Sequence, residues 1–314
     1  MGFPINADLT RRINKEAFYN ELNASMDERV FPMISERITQ DVSSVVRVGM
    51  GSFPKPVQLS GTAAGMQSAR VKDLKDYTQT TTVVEWDLSV GMPRSLVEDL
   101  PEEAARIGAL HGQSATVFFD ERAIGQLDST TALGYDGIAL YSTVHAESGA
   151  SQDNAKTSVA ATGTIPTAAE LEAALITDMV ALRDFTDDQG RPVNEGAAGF
   201  DILIPPEFEW IYKQVLDPTL SQQSYDSSGI TGRFRGMFNM KVSAYVAGDR
   251  HYIFARNRVR KALGFYVKTD WDYFSNIGTE SDAWRLGRQA VFTGYARFEF
   301  QPRDWKVTVR HVYT

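Results

Sequence analysis

Cysteine is absent from this 314-residue sequence, which excludes disulfide bonds and thiolate metal sites. Histidine is scarce: the four residues are His111, His145, His251 and His311. No two of them stand at helical or zinc-ligand spacing, and the sequence has no HExxH motif. We therefore interpret each histidine as structural or exposed, and we predict neither a metal site nor a cofactor site.

Motifs for catalysis and phosphate binding are missing as well. The segment from Gly49 to Gly51 lacks the third glycine of a dinucleotide-binding loop, and no GK[ST] sequence is present. Ser142 and His145 are close in sequence, but no nucleophile elbow surrounds the serine. The sequence therefore predicts no catalytic residues and a protein that is not an enzyme. A soluble enzyme with an unrecognised site is left as an alternative.

The sequence has neither an excess of positive charge nor a long apolar run. Its formal net charge is −8, which gives no overall electrostatic signature of tight nucleic-acid binding and leaves only local basic patches. No run approaches 18 apolar residues, and the N-terminal stretch has no apolar signal core. We expect a soluble protein with an unprocessed start and no membrane partner.

The most prominent feature that is present is a predicted long helix from Asp99 to Asp128. Asp99 is expected to cap its N-terminus and Pro101 to occupy its first turn. Apolar or small residues recur on one face from Ala104 to Leu127, and a continuous helix would span about 40 Å. Three glycines weaken the pattern, at positions 108, 112 and 125. A helix of this length predicts a spine on which other elements pack.

Before this helix, the pattern predicts an amphipathic helical arm over residues 8–40 and a short strand at Val45–Val48. A strand over Tyr77–Val90 follows, in which Trp86 and its apolar neighbours alternate with polar residues. The long polar connection between the two strands suits an arm that projects from the body of the protein.

After the helix, residues 129–164 are rich in Gly, Ser, Thr and Ala and predict an extended loop facing solvent or an interface. A capping box at Thr167–Glu170 predicts a helix to about Phe185, with an apolar face formed by Leu171, Leu175, Met179 and Leu182. A buried strand is expected at Phe200–Ile204, with a second helix from Pro206. The remaining pattern predicts a hairpin over 241–255, a short strand over 263–267, and two alternating strands over 290–300 and 306–312.

Two stretches carry a resemblance to a known family. They are TTTVVEWDLSVGMPRSLVEDL before the long helix, and YDGIALYSTVHAESG followed by Asn154 after it. Together with the order of arm, spine and returning strands, they resemble the Mu-type major head subunit family of HK97-fold phage capsid proteins. The resemblance implies an α+β, HK97-like fold with a spine helix, a projecting β-arm and a central α/β axial domain.

The resemblance also implies a division of the chain. Residues 1–44 would form the N-terminal arm and 45–93 the projecting E-loop. Residues 94–165 would hold the spine helix and the loop after it, within the peripheral domain. Residues 166–262 would form the axial domain, and 263–314 the return strands of the peripheral domain.

The implied function is that of a major capsid protein, a structural protein of the bacteriophage virion. It would self-assemble through hexamers and pentamers into an icosahedral shell around double-stranded DNA, beginning in the host cytoplasm. Expected partners are other copies of the chain, a separate scaffold, a portal and non-specifically contacted DNA. An encapsulin-like nanocompartment shell that packages a protein cargo is the alternative.

Assembly contacts are predicted for three groups of side chains. One is the arm, one is the tryptophan at its root, and one is a basic pair in a later polar loop, for which nucleic-acid contact and plain solvation are alternatives. The residues are Lys55, Arg70, Lys72, Lys75, Trp86, Arg233 and Arg235.

Overall fold

The computed structural model describes residues 7–26, 28–42, 44–50, 76–146, 151–161, 163–216, 234, 236–256, 260–277 and 281–314. These residues fall into two compact units. The first is drawn from residues 1–44, 82–126 and 263–301, and the second from 45–81, 127–262 and 302–314. The predicted five-part division assigns roles within an assembled shell and stays a prediction.

Helices and strands alternate irregularly along the chain, as expected for the α+β class. The helices are α1 (Ala7–Met26), α2 (Phe31–Ile34), α3 (Arg94–Asp99), α4 (Pro101–Leu127), α5 (Ala168–Asp184), α6 (Glu209–Leu216) and α7 (Asp282–Arg285). The strands are β1 (Ser35–Thr39), β2 (Ser44–Met50), β3 (Asp76–Thr82), β4 (Val84–Pro93), β5 (Ala155–Ser158), β6 (Phe200–Ile204), β7 (Phe238–Val242), β8 (Arg250–Ala255), β9 (Leu263–Asn276), β10 (Gln289–Pro302) and β11 (Thr308–Tyr313). Among the described helices, none is long and apolar enough to cross a membrane.

The first unit is built on α4 and a four-stranded sheet in the order β1-β9-β10-β4. The predicted spine helix is confirmed, but its predicted cap is wrong. Asp99 ends the separate short helix α3, and Leu100, whose φ of −132° and ψ of 77° are not helical, separates α3 from α4. The predicted N-terminal arm is helical only in its first part, since residues 35–39 pair with β9 as strand β1.

Two of the spine glycines are sites of close helix packing. A Cβ atom on Gly108 would lie 2.4 Å from the backbone oxygen of Asn14, and one on Gly112 would lie 2.5 Å from that of Phe18. Both distances are shorter than van der Waals contact, so only glycine lets α1 approach α4 this closely. The residues that weaken the helix pattern therefore determine how the N-terminal helix packs.

An aromatic cluster fills the space between α4 and the sheet. Phe119 of α4 lies 4.9 Å from Phe298 and 5.2 Å from Phe265, measured between ring centroids. Phe265 stacks on Phe300 at 4.5 Å. Nearby, the carboxylate of Asp120 accepts hydrogen bonds from the backbone N–H groups of residues 30 and 31 at the start of α2. The spine thus supplies both the core and a helix cap.

His111 of α4 is buried against Tyr273, with the two rings 5.6 Å apart. Burial lowers the pKa of His111 below its usual value. The unfolded chain therefore binds more protons than the folded chain below about pH 6.5, so this group lowers stability as the pH falls. We expect His111→Gln to flatten the decline in free energy of unfolding between pH 7 and 5, by up to about 1.4 kcal/mol per pH unit. Urea unfolding at a series of pH values checks this, and an unchanged slope would contradict it.

The second unit contains a five-stranded sheet in the order β5-β11-β8-β6-β7. The predicted strand Phe200–Ile204 is confirmed as β6. The hairpin predicted over 241–255 is wrong, because β7 pairs in parallel with β6 and β8 pairs with β6 and β11. The last two strands of the chain belong to different sheets. Strand β10 is in the first sheet, and β11 lies between β5 and β8 in the second.

The predicted arm begins and ends in a two-stranded sheet of β2 and β3. The single strand predicted over 77–90 is divided at Val83, and its second half, β4, is the edge strand paired with β10. The connection between β2 and β3, residues 51–75, lies outside the described residues.

Helix α5 begins with the predicted capping box, in which Thr167 and Glu170 bond to each other's backbone N–H groups. Its buried face includes Leu171, Leu175 and Leu182, as predicted. The expected fourth member, Met179, is half-buried, and Asp178 is fully buried in its place. A buried carboxylate on an apolar helix face needs polar partners.

Candidate functional site

The YDG motif and His145 pack tightly against each other in the loop after α4. Asp136 Oδ2 lies 2.6 Å from Nδ1 of His145. The imidazole ring also stacks on Trp305 with centroids 4.3 Å apart and an interplanar angle of 5°. Gly137 has a φ of 74°, which favours glycine at the turn between the two polar residues. The motif residues therefore hold a loop in shape.

Asn154 forms hydrogen bonds that hold this loop from its buried side. Its side-chain amide nitrogen donates to the backbone oxygens of Leu140, Trp305 and Thr308, and its oxygen accepts from the N–H of Ser142. The residue is fully buried, so these groups have no access to water. Asn154 thus ties the loop to the segment that leads into β11.

The loop over 129–164 is more buried than the sequence predicts. Leu140, Tyr141, His145 and Asn154 are all buried, although the composition indicated a loop that builds little core. The reason is that their polar atoms pair internally, as the Asp136–His145 contact illustrates. Ser142 does not act with His145, since its hydroxyl accepts from the N–H of Val144 while His145 pairs with Asp136.

A second polar cluster lies between α5, β8 and β11. Asp178 Oδ2 is 3.0 Å from His251 Nε2, and Asp178 Oδ1 is 3.0 Å from His311 Nδ1. His311 Nε2 is 2.7 Å from the hydroxyl of Ser158 on β5. His251 and His311 are opposite each other in the β8–β11 register, and their rings stack at 5.2 Å.

The electrostatics of this cluster follow from its burial. Burial alone would raise the pKa of Asp178, but hydrogen bonds from His251 and His311 outweigh it, so the pKa lies below its usual value. Burial lowers the pKa of His251 despite the neighbouring carboxylate. The cluster therefore holds a carboxylate anion against imidazole groups in an interior that excludes water.

Sequence reasoning missed this cluster. Its members are far apart in the chain, and spacing rules detect only ligands on one element or one loop. Two signals were present: Asp178 occupies a buried position of the α5 stripe, and His251 and His311 fall on the buried face of their strands. The pairing of β8 with β11, which joins them, could not be read from the sequence.

The order Ser158–His311–Asp178 resembles the contacts of a hydrolytic triad. However, Asp178 is shared with a second imidazole, and Ser158 is the last residue of an edge strand rather than part of a nucleophile elbow. The contacts therefore differ from those of a hydrolytic triad in both the acid and the nucleophile.

Of the predicted assembly contacts, only Trp86 is among the described residues; Lys55, Arg70, Lys72, Lys75, Arg233 and Arg235 lie outside them. Trp86 is half-buried and packs on Phe118 at 4.8 Å between ring centroids. Its indole N–H donates to the backbone oxygen of Phe298, and the Arg122 guanidinium lies 5.3 Å from its ring centroid. That arginine also forms a two-bond pair with Glu299.

Because Trp86 is half-buried, we expect Trp86→Ala to lower the free energy of unfolding by about 2 kcal/mol, less than for a fully buried tryptophan. Trp86→Phe keeps the ring contact and is the matched control, with a smaller loss expected. Urea unfolding of the three proteins measures both values. Equal stability of Trp86→Ala and the unsubstituted protein would show that the ring contacts contribute nothing.

Comparison with known proteins supports the fold and the family. The family model described as "Phage capsid protein" matches residues 76–313, about three quarters of the chain. None of the curated proteins searched matches the sequence. Many solved structures do match.

Three of these structures illustrate the likeness. The bacteriophage PhiM1 mature capsid superposes with a TM-score of 0.59 at 14% identity, covering 91% of this chain and 87% of the other. For the capsid of cyanophage P-SCSP1u the TM-score is 0.58 at 12% identity, covering 91% and 88%. For a virus-like particle from Pyrococcus furiosus it is 0.52 at 13% identity, covering 96% and 98%.

At these identities the structures establish the fold, and the family model establishes the membership. The spine helix α4, the YDG–His145–Asn154 loop and all strands of the two larger sheets except β1 lie within the matched residues. The chain therefore belongs to the phage capsid protein family and has the HK97-like fold of phage major capsid proteins.

Proposed function

We propose that the chain is the repeating subunit of an icosahedral phage head that encloses double-stranded DNA. The observation that carries this proposal is the family match over residues 76–313, which spans the spine helix, the whole five-stranded sheet and three of the four strands of the first sheet. We further propose the Mu-type branch of the family, on the YDG–His145 and Asn154 motif.

Exposed apolar groups support contacts between copies of the chain. Strand β4 is the edge of its sheet, and its Val84 and Val90 side chains are each 41% exposed. An edge strand with exposed apolar residues is a surface that a neighbouring copy can cover. Closed shells arise when such contacts are heterologous and their rotation closes into rings.

The projecting arm is the second element of this proposal. We assign residues 45–93 to an E-loop that lies on a neighbouring copy, with Lys55, Arg70, Lys72 and Lys75 at the contact. Arg233 and Arg235 are proposed to contact a neighbour's carboxylates. Partners beyond the chain itself are proposed to be a separate scaffold, a portal and packaged DNA, with assembly in the host cytoplasm and the virion as the final location.

The arm proposal is tested by deletion of residues 61–75. We expect the variant to fold, because both sheets are built from other residues, but not to form closed particles. Electron microscopy with analytical ultracentrifugation gives particle size, and circular dichroism confirms folding. Closed particles of normal size from the deletion variant would exclude a role for the arm in assembly.

The nucleocapsid role is tested by the contents of the particles. Particles from phage-producing cells should carry nucleic acid, seen as absorbance near 260 nm that resists external nuclease. The encapsulin-like alternative, which the family match does not favour, predicts a co-purifying protein cargo without nucleic acid. Turnover that is lost on Ser158→Ala would instead support an enzymatic function.

A further inference from the structure

We propose that Asp178, His251 and His311 form a binding site for one divalent transition-metal ion, with Zn²⁺ the preferred ion. The three side chains offer one carboxylate oxygen and two imidazole nitrogens, and these ligand atoms all lie within 4.8 Å of one another. This proposal rests on the second compact unit alone and does not depend on the function proposed above.

The distances are close to those that coordination requires. In a tetrahedral zinc site with bonds of about 2.0–2.2 Å, neighbouring ligand atoms are roughly 3.3 Å apart. Asp178 oxygens lie 3.0 Å from His251 Nε2 and 3.0 Å from His311 Nδ1. An ion replaces the protons now shared across these contacts, and the two Asp178–imidazole distances need to lengthen by only a few tenths of an ångström.

The charge of the cluster also favours a cation. Asp178 and His251 are fully buried, and His311 nearly so. Among the described residues, the ion-pair partners of Asp178 are these two imidazoles, and no lysine or arginine joins them. A divalent ion would place a full positive charge beside this buried carboxylate, which is otherwise stabilised by hydrogen bonds from the imidazoles.

Unpartnered polar atoms surround the cluster. Within the described part of the chain, His251 Nδ1 and the hydroxyls of Tyr212 and Tyr313 are buried and have no hydrogen-bond partner. Both tyrosine rings pack on His251, with centroids 5.8 and 5.7 Å away. The tyrosine hydroxyls can hydrogen-bond to a metal-bound water, whereas His251 Nδ1 is directed away from an ion bound at Nε2.

The hydrogen bond to the His311 ring and the chemistry of the ligand atoms point to the same class of ion. Ser158 Oγ lies 2.7 Å from His311 Nε2, so it can fix the ring with Nδ1 directed at the ion. Imidazole suits zinc, copper, iron and nickel, whereas magnesium and calcium prefer oxygen ligands throughout. A bound ion would join α5, β8 and β11, and therefore stabilise the second unit.

The test uses the full chain, unfolded with a chelator and refolded with or without Zn²⁺. After desalting, we expect one zinc per chain by elemental analysis and a Tm that rises with zinc concentration. Asp178→Asn and His251→Asn should each lose the bound zinc. His145→Asn is the matched control, because it removes an imidazole from another buried His–Asp pair and should retain one zinc per chain.

Cobalt substitution tests metal binding in the unsubstituted protein, without any variant. Co²⁺ bound by the unsubstituted chain should give visible absorption bands of a nitrogen- and oxygen-ligated ion, displaced by one equivalent of Zn²⁺. No retained metal and no zinc-dependent Tm would overturn the proposal and leave a purely hydrogen-bonded cluster. Equal zinc content in folded Asp178→Asn or His251→Asn would also overturn it, since the ion would then bind elsewhere.

Discussion

Asn154→Ala is expected to lower the free energy of unfolding by roughly 3–4 kcal/mol. The substitution removes the donor to the carbonyl oxygens of Leu140 and Trp305 and the acceptor for the N–H of Ser142. These backbone groups lie around a fully buried side chain, so water does not replace the lost bonds readily. Each buried group left unpaired costs about 1–3 kcal/mol. Chemical unfolding monitored by circular dichroism measures the loss.

Two further variants separate the amide's hydrogen bonds from its volume. Asn154→Asp keeps the shape but places a carboxylate beside three carbonyl oxygens, so it should destabilise at least as strongly at pH 7. Asn239→Ala is the control, because this asparagine on β7 is exposed and its side-chain hydrogen bond to Asp201 Oδ1 is long, at 3.3 Å; we expect a loss of at most about 1 kcal/mol. Similar small losses for Asn154→Ala and Asn239→Ala would rule out the bridging role.

Replacing both Gly108 and Gly112 with alanine is expected to lower the free energy of unfolding by roughly 2 kcal/mol. Helix propensity alone predicts the opposite sign, a gain of about 1 kcal/mol for each glycine replaced. Steric overlap decides the outcome, because each new Cβ would meet a backbone oxygen of α1 at 2.4–2.5 Å. Backbone atoms cannot rotate aside, so the two helices must separate and lose packing.

Gly125→Ala is the matched control on the same helix. Nothing lies within 4 Å of its added Cβ, so this variant should be stabilised by up to about 1 kcal/mol. Urea unfolding of the two variants should therefore give shifts of opposite sign. Stabilisation of the Gly108/Gly112 double variant would mean that α1 does not pack closely on α4.

The sequence predicts elements well where local signals are strong. The long helix, the capping box at Thr167–Glu170 and the apolar strand Phe200–Ile204 each carry their signal within a few residues, and all three are confirmed. The pairing of strands is predicted poorly. A Gly248–Asp249 turn suggests a hairpin, but β6 enters between β7 and β8 and takes both as partners.

Polar clusters are harder to predict for the same reason. Asp136 and His145 are near neighbours in sequence, yet composition predicted that their loop would be exposed, because the internal pairing of polar atoms is invisible in composition. Asp178, His251 and His311 meet only through strand register and the face of α5. In the spine helix, by contrast, two residues that lower the local helix propensity, Gly108 and Gly112, indicate where α1 packs on α4.

The position of β11 has a consequence for synthesis of the protein on the ribosome. This strand lies between β5 and β8, and residues 308–313 are translated after every other strand of that sheet. The sheet of the first unit also depends on a late strand, because β1 pairs in parallel with β9, which follows it by more than 200 residues. Neither sheet can close before its last strand has been synthesised, so folding is expected to be slow. Among the described strands, β5 has no partner in its sheet until β11 is made, since β11 is its one neighbour in the strand order.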